Sequence, residues 1–179
     1  MKTKILIQKM CISAMFIALA FVLPFFTMQI NEIGDMLCPM HIPAILCGFI
    51  CGGPWGLAVG IISPILRSLV MTMPVMFPTA IGMAFELGTY GLVAGLLYNT
   101  LPKKKVYIYA SLIGAMVIGR IVWGIARIVM FGFDFSKFGW AAFWSGAVLN
   151  AIPGIIVQII LVPVIVMAVE GISKNKLNK

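Results

Sequence analysis

Six side chains that carry a charge or an amide lie inside stretches holding almost nothing else polar: Arg67, Glu86, Arg120, Arg127, Asn150 and Gln158. Each is expensive in apolar surroundings and must face a cavity, a partner or the inside of a packed bundle. Arg120 and Arg127 are seven residues apart. On a helix that is nearly two turns, so they share one face about 10 Å apart. Arginine offers a planar fork that suits a carboxylate or a phosphate. Arg67, Arg120 and Arg127 set three positive charges against Glu86, and the excess calls for an anion, for carboxylates such as Glu32 or Asp35, or for open water. A permanent Arg120–Glu86 bridge is the purely structural alternative.

A second constellation, "LCPMHIPAILCGFICGG" at 37–53, has the look of a soft-metal site, with Cys38, Met40, His41, Cys47 and Cys51. Cys47 and Cys51 are one helical turn apart and share a face. Cys38 and His41, however, flank a proline at a helix start, and no second cluster of His, Cys or acid supplies the missing ligands. These residues are read as small, polarizable packing groups, with no metal. Four cysteines in or beside apolar spans imply no disulfide framework. The chain also has no phosphate loop, no H-E-x-x-H and no G-x-S-x-G, so it is not expected to be an enzyme, to hold a cofactor or to hydrolyse ATP.

The elements that position these groups follow from the solvent. Of 179 residues, 62% are hydrophobic and 10% charged, and mean hydropathy is +1.11. That is an integral membrane protein, not a water-soluble core. Barrel strands would alternate apolar and polar residues, and none do, so the apolar runs are read as α-helices. Punctuation places them at 8–26, 40–51, 55–71, 79–98, 106–131 and 143–169, with Pro24 and then the polar loop "TMQINEIGD" ending the first and "GGPWG" making the turn before the third. The second helix is short for a span, since about 20 residues are needed to cross a ~30 Å core.

Charge orients the bundle. Lysines gather at 2, 4 and 9, at 103–105, and at 174, 176 and 179. Basic residues mark the cytoplasmic side, and six spans bring all three clusters to it, with both termini inside. The fold class is therefore an all-α integral membrane protein of six transmembrane helices in a single domain, 1–179. Nine of the thirteen Lys and Arg are anchors of this kind, so the net charge of +8 is not read as a nucleic-acid surface. The N-terminal segment looks like a signal peptide but lacks a small-residue cleavage pattern, and is expected to remain as the first helix.

Small residues one turn apart allow helices to approach closely, and four such pairs occur: Ala14/Ala18, Gly56/Gly60, Gly91/Gly95 and Ala147/Ala151. The outer loops offer lids: Asn31, Glu32 and Asp35 in the first, and "MPVMFP" between Met73 and Pro78 in the third.

Six spans with basic cytoplasmic ends, the run "CISAMFIALAF", a polar first outer loop, "FELGTYG" and "LNAIPGI" together resemble the substrate-binding S component of an energy-coupling factor (ECF) vitamin transporter. The resemblance covers nearly the whole chain. It implies high-affinity capture of a vitamin or related micronutrient in a bacterial plasma membrane. It also implies docking on a module of one membrane coupling subunit and two cytoplasmic ATPases, with Ala14 and Ala18 on the docking face. It places Glu86 and Asn150 at positions used for ligand in some members. With the arginines, the expected substrate-binding set is Arg67, Glu86, Arg120, Arg127, Asn150, Trp123, Trp144 and Asn31, with Trp140 as a further packing candidate. An anionic vitamin such as pantothenate or nicotinate suits that set. A stand-alone carrier or channel, and a non-transporting adaptor, are the other classes. The halves 1–90 and 91–179 show no internal repeat of the kind carriers often have.

Overall fold

The computed structural model describes residues 2–27, 39–102, 104–132 and 152–177. Among them are six α-helices and no strand: α1 (Lys2–Thr27), α2 (His41–Cys51), α3 (Gly53–Met71), α4 (Ile81–Thr100), α5 (Lys105–Met130) and α6 (Ile152–Leu177). A single π-helical turn, Met76–Ala80, leads into α4. Five of these helical segments are long and apolar enough to cross a bilayer. The sixth, α2, has 11 residues. At 1.5 Å per residue it is about 16 Å long and covers roughly half of a hydrocarbon core.

Two expected helix starts are corrected. Helix α1 begins at Lys2 rather than near Gln8, while its end at Thr27 is one residue from the expected one, with Pro24 inside its last turn. Proline deletes one main-chain hydrogen bond, but in lipid the remaining groups have no better partner than the helix, so the helix continues through it. Pro64 and Pro163 lie inside α3 and α6 in the same way. The turn between α2 and α3 is also tighter than expected. Gly52 alone makes it, at φ 101°, a conformation that glycine reaches without Cβ strain. Its carbonyl accepts from the N–H groups of Trp55 and Gly56, each at 3.1 Å.

Helices α2, α3 and α4 meet at a glycine seam. A Cβ added to Gly56 would stand 2.6 Å from the Gly91 carbonyl oxygen and 2.7 Å from Gly48 Cα. One added to Gly95 would lie 2.6 Å from Gly53 Cα. Backbones in direct contact gain the dispersion energy that membrane helices need, because lipid supplies no hydrophobic drive between them. Around the seam Ile45, Val59, Leu87, Leu112 and Val162 are buried. Outward-facing residues such as Leu69, Val106, Ile125 and Ile160 stay exposed, as a lipid-facing surface requires. Of the small-residue pairs, those of α3 and α4 belong to this internal packing, whereas Ala14 and Ala18 are exposed on α1. Ala147 and Ala151 lie outside the described residues.

Candidate functional site

Glu86 is the centre of the buried polar chemistry. It sits on α4 with Tyr90 one turn later, and the Tyr90 hydroxyl donates to Glu86 Oε1 at 2.9 Å. Arg120 Nη1, from α5, reaches the same oxygen at 2.9 Å. His41 Nε2, from the start of α2, lies 3.5 Å from it, and the His41 ring is 5.4 Å from that of Tyr90. Glu86, His41 and Tyr90 are all almost fully buried. Three helices thus converge on Oε1.

Helix geometry explains the meeting. Glu86 precedes the end of α4 at Thr100 by 14 residues, and Arg120 follows the start of α5 at Lys105 by 15. At 1.5 Å per residue both stand about 21–23 Å from the hairpin joining the two helices. Gly119 opens the space, since a Cβ there would run into the Tyr90 ring. The convergence includes His41, which the sequence alone places among packing residues, although an ionisable side chain at membrane depth is itself a signal of function.

Arg127 lies two turns beyond Arg120, as the spacing requires. Its guanidinium is 5.4 Å from the Trp123 ring centroid and 5.9 Å from that of Phe131. Trp123, expected against a ligand's apolar part, is 8% exposed and carries the arginine on its face. Such a stack is worth about 2 kcal/mol when desolvated and fixes the guanidinium's plane. Gly82 of α4 closes this corner, with a Cβ there 3.6 Å from Trp123 Nε1 and 3.7 Å from Arg127 Cδ.

Arg67 is drawn to a different neighbour. It is 2% exposed, its Nη1 donates to the Phe21 carbonyl of α1 at 3.0 Å, and its guanidinium lies 5.6 Å from the Phe25 ring. The convergence on Glu86 therefore takes in Arg120 and adds His41 and Tyr90. Asn31, Trp140, Trp144, Asn150 and the loop carboxylates Glu32 and Asp35 lie outside the described residues.

Of the cysteine constellation, Ser13 Oγ of α1 and Cys47 Sγ are 3.5 Å apart, and Cys47 and Cys51 are buried. Among the described residues no group of three or more His, Cys, Asp or Glu is placed to hold a metal ion. The lipid-facing side has one further feature, an apolar groove of about 400 Å³ lined by Ala14, Ile17, Ala18 and Phe21 of α1 and by Leu66 and Val70 of α3.

The family model for the ECF transporter, substrate-specific component, matches residues 8–166. The chain belongs to that family. No curated protein and no solved structure matches it. An S component is a multi-pass protein of the plasma membrane and the substrate-binding subunit of its transporter, not an enzyme. The family implies a small-molecule substrate and, as partners, a membrane coupling subunit with ATPases. Family membership sets aside the stand-alone carrier and the adaptor.

Proposed function

We propose that this S component captures a small anionic vitamin or vitamin precursor in the outer half of the bundle and docks through the Ala14/Ala18 face. One observation carries the anion reading. Glu86 is matched by Arg120 at 2.9 Å, and a second guanidinium, Arg127, is held two turns further along the same helix over Trp123 and Phe131. Among the described residues Glu86 is the only buried carboxylate. Two guanidinium groups on one face of α5 give this wall the planar forks that suit a carboxylate or a phosphate.

In this reading Arg127 takes the ligand's carboxylate with its planar fork and Arg120 supports it from below. The Glu86 carboxylate accepts from a hydroxyl or amide of the ligand. Asn31, Asn150 and Trp144 complete the site from the outer loop and from the segment preceding α6. A hydroxylated acid of the pantothenate type uses all of these groups, whereas nicotinate uses the arginine alone. The third loop, in which Met73, Val75 and Phe77 are more than half exposed, serves as an apolar lid.

The docking half of the proposal rests on the exposure of Ala14 and Ala18 in the α1–α3 groove, where a partner helix gains close approach. Purifying the chain from cells and identifying the small molecule released on denaturation tests the capture half. An acid supports it, and an uncharged or cationic ligand overturns it.

A further inference from the structure

Arg67 is costly where it stands. It lies four residues before the end of α3 and is 2% exposed. A leucine there would pack α3 against α1 with no charge to desolvate. Its two grips on α1 are one turn apart, the Phe21 carbonyl at 3.0 Å and the Phe25 ring at 5.6 Å. They straddle Pro24, the residue that removes an N–H from the α1 ladder and takes the donor from the Ala20 carbonyl. The guanidinium therefore fastens α1 where its own hydrogen bonding is weakest.

The place matters because Phe21 and the residue beside Arg67, Leu66, line one end of the apolar groove whose other end is Ala14 and Ala18. A polar clamp to a main-chain carbonyl fixes both the distance and the rotation of α1 against α3, which apolar packing between smooth helices leaves free to slide. We infer that Arg67 is a positioning residue for the docking groove, holding α1 at the spacing into which an apolar helix of the coupling subunit fits. The inference rests on the docking reading above, and it removes Arg67 from the substrate-binding set.

The test uses the full chain with its energising module. Arg67→Met keeps the length and loses the donor, and Arg67→Lys keeps a donor. Spin labels on exposed Leu19 and Leu69, in a Cys11→Ser, Cys38→Ser background that leaves only the buried Cys47 and Cys51, read the α1–α3 distance. Arg67→Met is expected to broaden and shift that distance, to lower recovery of the module on the tagged chain by about tenfold or more, and to leave pantothenate affinity within about threefold. Arg67→Lys restores the narrow distance and most of the recovery. An unchanged distance with full recovery in Arg67→Met overturns the inference. So does a tenfold loss of pantothenate affinity at unchanged distance, which returns Arg67 to the substrate site. Ala18→Trp is the control: full recovery there places the failure in the docking reading, because the spin-label distance reports the clamp independently.

Discussion

Arg120 Nη1 and Glu86 Oε1 stand 2.9 Å apart across the α4–α5 interface, with a carboxylate 97% withdrawn from solvent on one side and a side chain 16% exposed on the other. The pair is asymmetric in burial, and that asymmetry matters. The carboxylate end is a fixed structural point, tied also to Tyr90 and His41. The guanidinium end keeps access to the space beyond it.

Breaking this pair is expected to be costly from either side. Removing one partner of a buried ion pair leaves the other charge uncompensated, a loss of about 3–5 kcal/mol. Glu86→Leu and Arg120→Met should each lower the unfolding midpoint of the purified protein well below wild type. The double variant, Glu86→Leu with Arg120→Met, should recover much of the loss. A double variant as unstable as the sum of the singles means the two residues are not coupled.

The glycine seam makes a prediction graded by distance. A methyl on Gly91 meets the Gly56 backbone, which cannot turn away, so Gly91→Ala should destabilise by about 1–3 kcal/mol, the range for overpacked cores. At Gly88 the same methyl meets only the side chains of Ile61 and Leu57, at 3.0 and 3.1 Å, which can shift. At Gly171 it meets nothing within 4 Å. Thermal unfolding should rank the alanine variants Gly91, then Gly88, then Gly171, the last equal to wild type; equal losses at all three contradict the seam.

Docking separates from capture at Ala14 and Ala18. Both face out of the bundle, so a tryptophan at either position disturbs no internal contact but fills the groove between α1 and α3. Uptake by cells should fall to background in Ala14→Trp and Ala18→Trp, while the purified variants still retain ligand. Loss of ligand in both would show that this face supports the site rather than a partner.

The helices were legible because composition and proline–glycine punctuation suffice in lipid, where backbone groups have few alternatives to a helix. The Arg120–Glu86 pair was legible too, as the structural alternative to shared ligand binding. What could not be read was direction around each helix. In water an apolar stripe tells which face is buried; in α3 the buried face is the small and polar one, Gly56, Gly60, Ser63 and Arg67, so the usual rule gave no partner for Arg67 on α1. His41 was weighed only as a metal ligand and dropped when its companions failed to appear, although its partner was a carboxylate on another helix.

The central claim is that Arg127 receives the anionic group of the substrate. Calorimetric titration of Arg127→Gln with the acid identified from the wild-type protein tests it most directly. Loss of a charge-assisted, bidentate contact predicts an affinity weaker by about 10–100-fold, roughly 1.5–3 kcal/mol, with the protein still folded. Wild-type affinity in Arg127→Gln would contradict the account.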